Sequence, residues 1–248
     1  IRIPVLRPLL ERLPGSPLSD VRRFLEEPVA TQEAVLRDLL ERGADTEWGR
    51  RYDFVELLEA EDLREAFRER VPLHDYDAIR EDVNRMREGA ADVLWPGTFD
   101  QFAVSSGTVS EGKIIPVSQE MLDQNRSFSM AAGWSYVAET GDTEFLFGRH
   151  LTLPGRIEED PNYPGTMVGE VSGLLAENAP GFLKHITQAV PNEVAFLPNW
   201  EQKLAEIARR TLDQDVRAVV MAPTWGLTLF EELIDLYNEE HRETEHHG

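Results

Sequence analysis

The stretch Ser105 to Pro116, SSGTVSEGKIIP, gathers the groups best able to hold an anion. A loop rich in Ser, Thr and Gly between a strand and a helix can aim hydroxyls and backbone amides at one phosphate, and Lys113 adds a mobile positive charge. Gly107, Gly112 and Lys113 reproduce the spacing GxxxxGK of a nucleotide-hydrolase P-loop. That motif continues with Ser or Thr, which holds magnesium, whereas Ile114 follows here. Pro116 lacks an amide hydrogen and biases Ile115 away from helical dihedrals, so the helix that should open at this point is not expected. An exposed turn built from the same residue types is the structural alternative.

The elements that must position this loop can be read on either side of it. Over the first ninety residues, Thr31 is expected to cap a helix carrying Val35, Leu36, Leu39 and Leu40 and stopping at Gly43. Leu63, Ala66 and Phe67 mark a second helix, and Asp77 a third with Ile79, Val83 and Met86 on one face, ending at Gly89. From Trp95 onward the pattern changes. Phe99 to Val104 reads as a strand leading into the loop, and Ser118 caps the helix after it, with Val117 and Leu122 as a hydrophobic staple. Phe145 to Leu153 and Thr166 to Ala176 read as strands around a turn-rich loop, and Trp200 to Thr211 as a helix. Val216 to Met221 reads as a buried strand and Leu229 to Tyr237 as a last amphipathic helix. The expected fold is α/β: a helical region over residues 1–90, then part of an α/β sheet domain over 91–248.

Composition narrows the partners. The chain of 248 residues has 46 acidic and 25 basic side chains, a formal charge of −21. Only three residues are lysine, Lys113, Lys184 and Lys203, so one of three falls in the candidate loop. Such an acidic chain without a basic patch repels a nucleic-acid backbone and fits a salt-adapted, carboxylate-solvated surface. No apolar run approaches the roughly 20 residues of a membrane span. The absence of Cys excludes disulfides and thiolate zinc sites, and a cytoplasmic location is expected.

DTEWGRRYDF (Asp45 to Phe54), VPLHDYDAIREDVNRMREG (Val71 to Gly89), DVLWPGTFDQFAVSSGTVSEGKIIPVS (Asp92 to Ser118) and APTWGLTLFEEL (Ala222 to Leu233) together resemble the GH3 family of acyl acid amido synthetases. These enzymes belong to the ANL adenylate-forming superfamily. The resemblance implies an ANL-like sheet domain and an ATP-dependent ligase. It activates a carboxylic acid as acyl-AMP and joins it to an amino acid amine, with Mg2+ bridging the phosphates. Ser105, Ser106, Gly107, Thr108, Gly112 and Lys113 would then bind the nucleotide, and Arg126 and Phe128 on the following helix would face the acyl acid. No catalytic residue and no metal ligand is assigned. Val109 stands where the family usually has a hydroxyl, and the loop is about one residue and one positive charge short. The second and third adenylate motifs, Tyr-Gly-x-Ser/Thr-Glu and Tyr-x-x-Gly-Asp, have no counterpart before Gly248, so the chain resembles an N-terminal portion whose C-terminal partner lies elsewhere in the same protein. Alternatives are a P-loop-like phosphohydrolase or kinase, and a family member that binds nucleotide or acid without turnover.

Other chemistry-bearing residues fit structural roles. His150 and His185 lack a metal-spaced partner, and no Ser stands in a GxSxG elbow. Glu158, Glu159 and Asp160, in a Pro/Gly loop, are expected to form a solvated turn.

Overall fold

The computed structural model describes residues 16–105, 112–181, 184 and 187–246. These fall into two compact units, residues 16–135 with 158–168 and residues 136–157 with 169–246.

In the first unit, six helices precede the first strand among the described residues: α1 (Pro17–Glu26), α2 (Pro28–Gly43), α3 (Glu47–Arg51), α4 (Phe54–Leu58), α5 (Leu63–Arg70) and α6 (Tyr76–Arg87). Helix α2 starts three residues before the expected Thr31. Pro28 occupies its first turn, where a missing amide hydrogen costs nothing, and the Thr31 amide already donates to the Glu27 carbonyl at 2.9 Å. Leu40 is buried with Leu57 and Leu63, while Val35 and Leu39 of the expected stripe are exposed. Helix α6 is capped by Asp75 rather than Asp77, the Asp75 carboxylate accepting from the Ala78 amide at 3.0 Å. After α6, Gly89 takes a φ of +92°, a conformation in which a side chain would be strained, and turns the chain toward β1. Met86, Val93, Phe99 and Phe102 form the core beneath that turn.

Strand β1 (Gln101–Val104) pairs antiparallel with β2 (Ile114–Pro116). With β4 (Ile157–Glu159) and β5 (Met167–Gly169) they make a sheet of order β2-β1-β5-β4. Pro116 sits on the edge strand, where its missing donor leaves no ladder bond unmade. Helix α7 (Gln119–Thr140) follows β2; the Met121 amide donates to Ser118 Oγ at 3.1 Å, and Val117 and Leu122 are both buried, as the staple requires.

The second unit contains α8 (Glu144–Phe147), β3 (Arg149–Thr152), α9 (Val171–Glu177), α10 (Asn192–Ala195), α11 (Trp200–Thr211), β6 (Val216–Val220) and α12 (Pro223–His246). β3 and β6 are parallel. Two expected strands are corrected here. The apolar run from Phe145 begins as a helical turn because Asp142 Oδ1 accepts from the Glu144 and Phe145 amides at 3.1 and 3.4 Å, delaying the strand to Arg149. The run from Thr166 is a strand only to Gly169, after which the Glu170 carbonyl accepts from the amides of Gly173 and Leu174 at 2.9 and 3.1 Å and starts α9. Leu151, Leu153, Val190, Leu204, Ile207 and Leu229 form the core. β6 is not the buried strand its sequence suggests, since Val219 and Val220 are exposed.

Candidate functional site

The hairpin β1–β2 carries the candidate phosphate loop. Its stem is in register from Phe102–Pro116 to Val104–Ile114, and one further pair closes it: the Ser105 amide donates to the Lys113 carbonyl at 2.9 Å, and the Lys113 amide to Ser105 Oγ at 3.1 Å. Ser105 Oγ therefore spends an acceptor site on the stem and keeps its O–H to donate. Gly112 is required by space. A Cβ there would lie 2.5 Å from the Ser105 carbonyl oxygen and 2.6 Å from Val104 Cγ1.

Tyr76, in the first turn of α6, supports the same stem. Its hydroxyl accepts from the Ile114 amide at 2.9 Å. Lys113 Nζ lies 5.8 Å from the Tyr76 ring centroid and the Arg80 guanidinium 5.5 Å, so two cations face one aromatic ring. Arg80 is neutralised by Asp77, whereas Lys113 is exposed and makes no ion pair among the described residues. Among the described residues Lys113 thus differs from Arg80 in having no carboxylate within ion-pair distance.

Of the six residues expected to bind nucleotide, Ser105, Gly112 and Lys113 stand together at the base of the loop. Ser106, Gly107 and Thr108 lie outside the described residues. A strand follows Lys113, and the helix begins only at Gln119, so the hairpin lacks the loop-to-helix junction of a P-loop hydrolase. On α7, Arg126 bonds the Asp123 carboxylate at 2.9 Å one turn away, and Phe128 is exposed. His150 has a structural role, its Nε2 2.9 Å from the Phe145 carbonyl oxygen.

Two constellations escape a reading by local pattern. Trp48 donates from Nε1 to Asp82 at 2.7 Å and packs its ring 4.7 Å from His74, whose Nε2 lies 2.9 Å from the Tyr52 hydroxyl. These residues fall within the quoted DTEWGRRYDF and VPLHDYDAIRED stretches, which was their available signal. Asp160 overturns the expectation of a solvated turn. It is 2% exposed, ion-paired with Arg87, and the Arg87 guanidinium stacks 4.2 Å from the Tyr163 ring centroid. Burial pushes the Asp160 carboxyl up, but bonds from Arg87 and from the Asn162 and Tyr163 amides outweigh it and hold the group below its usual range. Lys203 on α11 is 5% exposed, and its ammonium donates to the Pro154 carbonyl at 2.9 Å. Burial lowers its pKa, partly opposed by the charge of Glu170.

The chain aligns with a solved GH3.15 acyl acid amido synthetase at a TM-score of 0.68 and 21% identity, over 96% of this chain and 40% of that one. A second solved structure, AtGH3.15 acyl acid amido synthetase in complex with 2,4-DB, aligns at 0.61 and 22% over 94% and 38%. These likenesses establish a shared mixed α/β fold. In sequence, an indole-3-acetic acid-amido synthetase GH3.2 of Arabidopsis thaliana is 30% identical over 129 residues, which is 48% of this chain and 23% of the relative. GH3.6 of the same plant, also an indole-3-acetic acid-amido synthetase, is 35% identical over 95 residues, 38% of this chain and 15% of the relative. The chain thus spans about a quarter or less of these curated relatives. The model of the GH3 family N-terminal domain matches residues 17–146, more than half of the chain and the whole of the Tyr76-supported hairpin, and the chain belongs to the GH3 family.

Proposed function

We propose that the chain supplies the triphosphate-binding part of an ATP-dependent acyl acid amido synthetase. The observation that carries this reading is the loop stem: a hairpin closed between Ser105 and Lys113, narrowed by Gly112 and presenting an ammonium with no carboxylate partner among the described residues. Hydroxyl, amide and ammonium donors suit phosphate oxygens.

In the first half-reaction a carboxylate oxygen of the acid attacks the α-phosphorus of ATP. The bond to the bridging oxygen breaks and pyrophosphate leaves, giving an acyl adenylate. In the second, an amino acid amine attacks the acyl carbon, AMP departs, and the amine loses a proton as the amide forms. The first step gathers charge on departing pyrophosphate, and Lys113 with the loop donors would stabilise that charge. Neither half-reaction requires a protein nucleophile. Mg2+ would neutralise charge on the phosphates, and no residue of this chain is assigned as its ligand.

The test is acid-dependent exchange of labelled pyrophosphate into ATP by the complete gene product. Exchange that falls when Lys113→Ala raises the KM for ATP supports the reading. Retained ATP binding without exchange over a broad acid panel would indicate the non-catalytic family member, the alternative that Val109 and the single loop lysine motivate.

A further inference from the structure

Gln214, two residues before β6, has its side-chain amide fixed in one orientation. Its Nε2 donates to the Ala189 carbonyl at 3.0 Å and to the Arg210 carbonyl at 2.7 Å, which spends both hydrogens. Carbonyl oxygens only accept, so the amide cannot be turned over. Its Oε1 is therefore left buried without a partner among the described residues. A buried acceptor of this kind calls for a donor from outside the chain, a water or part of a ligand.

Gln214 lines a groove of about 740 Å3 in the second unit, together with Arg149, the first residue of β3, and Lys184. Elsewhere in this unit Arg209 and Arg210 are paired with Glu206, and Arg217 with Glu144 and Asp215. The Lys184 ammonium instead donates to the Glu177 carbonyl at 2.6 Å, and it makes no ion pair among the described residues. The Arg149 guanidinium reaches the Gln188 carbonyl at 3.4 Å. On the same side the Glu177 carboxylate accepts from the Asn192 amide at 2.8 Å, and Asn192 accepts from Gln188 at 2.9 Å. Glu193 also lines the groove, and Ala189 to Pro191 give it an apolar wall.

Two cations and one carboxylate beside an acceptor that lacks a donor describe a ligand with an anionic end and a donor next to it. A bare anion would leave Gln214 Oε1 unfilled and would face Glu193, while an apolar molecule would leave the charges in water. From these observations we infer that the groove binds a small carboxylic acid carrying an amine or hydroxyl beside its carboxyl group. The carboxylate meets Lys184 and Arg149, and the amine or hydroxyl donates to Gln214 Oε1. The groove lies at the amino ends of β3 and β6, whereas α/β sheets hold the ligands of their reactions outside the carboxyl ends, and the hairpin belongs to the other unit. It is thus a second site, and the inference stands or falls apart from the proposed activity.

Three acids of one carbon skeleton test it: L-leucine with an amine beside the carboxyl group, L-leucic acid with a hydroxyl, and isocaproate with neither. Each is titrated calorimetrically into the 248-residue chain. L-Leucine or L-leucic acid is expected to bind at least about tenfold more tightly than isocaproate, which leaves the buried acceptor unfilled, and the tighter of the two identifies the donor. Lys184→Gln should weaken that ligand by about tenfold, and Gln214→Leu should bring it level with isocaproate. Equal binding of all three acids, or binding of inorganic phosphate as tight as theirs, overturns the inference. So does an unchanged affinity in Lys184→Gln, or no binding of any acid at about 10 mM, which would make water the partner of Gln214. Loss of binding in Lys113→Ala would place the ligand at the hairpin and overturn it too. Thermal melting of each variant separates misfolding from a lost contact, and the ranking of the acids on the parent chain needs no variant should Gln214→Leu fail to fold.

Discussion

Ser105 and Lys113 hold each other across the mouth of the hairpin, amide to carbonyl at 2.9 Å and amide to hydroxyl at 3.1 Å. That double closure brings Gly112 against the Ser105 backbone, where no side chain fits. Gly112→Ala is therefore expected to force the stem apart and destabilise the chain by about 1 to 3 kcal/mol. Chemical denaturation of the purified chain measures it, and an unchanged midpoint would show that the stem yields without cost. In the complete gene product the same substitution should raise the KM for ATP.

Tyr76 joins the loop to the helical region through one bond to a strand amide. Tyr76→Phe keeps the ring beside Lys113 and Arg80 and removes only the acceptor for the Ile114 amide. A loss of about 1 kcal/mol is expected, with faster hydrogen exchange at Ile114 than in the parent chain. Exchange at Ile114 that does not change would show that its amide is protected by other means.

How much of this was legible beforehand depends on the range of the interaction that decides each element. Helix α11 and the Val117–Leu122 staple were readable because the apolar spacing of the one and the Ser118 cap of the other lie within a few residues of one another. The choice of Asp75 over Asp77 was not, since both residues are good caps two positions apart, and it is the Asp75 carboxylate that accepts from the Ala78 amide. Residues 145–153 read as one strand because apolar runs do not show period over so short a span, and a single turn set by Asp142 divides them. The candidate loop was visible through its residue types, yet its support by Tyr76 was not, because a bond from residue 76 to residue 114 leaves no local pattern.

The same reasoning explains Arg87 and Asp160, which are 73 positions apart in sequence. Asp160→Asn leaves the Arg87 guanidinium buried without its counter-charge, and Arg87 Nε already lacks a partner among the described residues. A loss of about 3 kcal/mol near neutral pH is expected. The sign of the pH dependence follows from a folded pKa held below the ordinary 3.8. The pair's contribution is complete above the unfolded-state value and is lost as pH falls through the folded one. Denaturation midpoints of the parent chain should therefore fall in acid more steeply than those of the variant, and parallel acid limbs would remove Asp160 as a source of the loss.

Lys203 gives the alkaline counterpart of that test. Its burial lowers an ordinary pKa of 10.5, so in the window between the folded value and 10.5 the unfolded chain binds more protons than the folded one. Stability carried by this residue must then rise with pH across that window and stay level below it. Lys203→Met retains most of the apolar stem packed beside Trp200, abolishes the bond to the Pro154 carbonyl, and removes the titration. The variant is expected to lose the alkaline rise in urea midpoint while changing by about 1 to 2 kcal/mol at neutral pH, the desolvated charge and its bond to Pro154 being lost together. A variant that keeps the alkaline rise would place its origin at another group, and Lys203 would then be a spacer beneath the Pro154 to Arg156 segment rather than a buried charge.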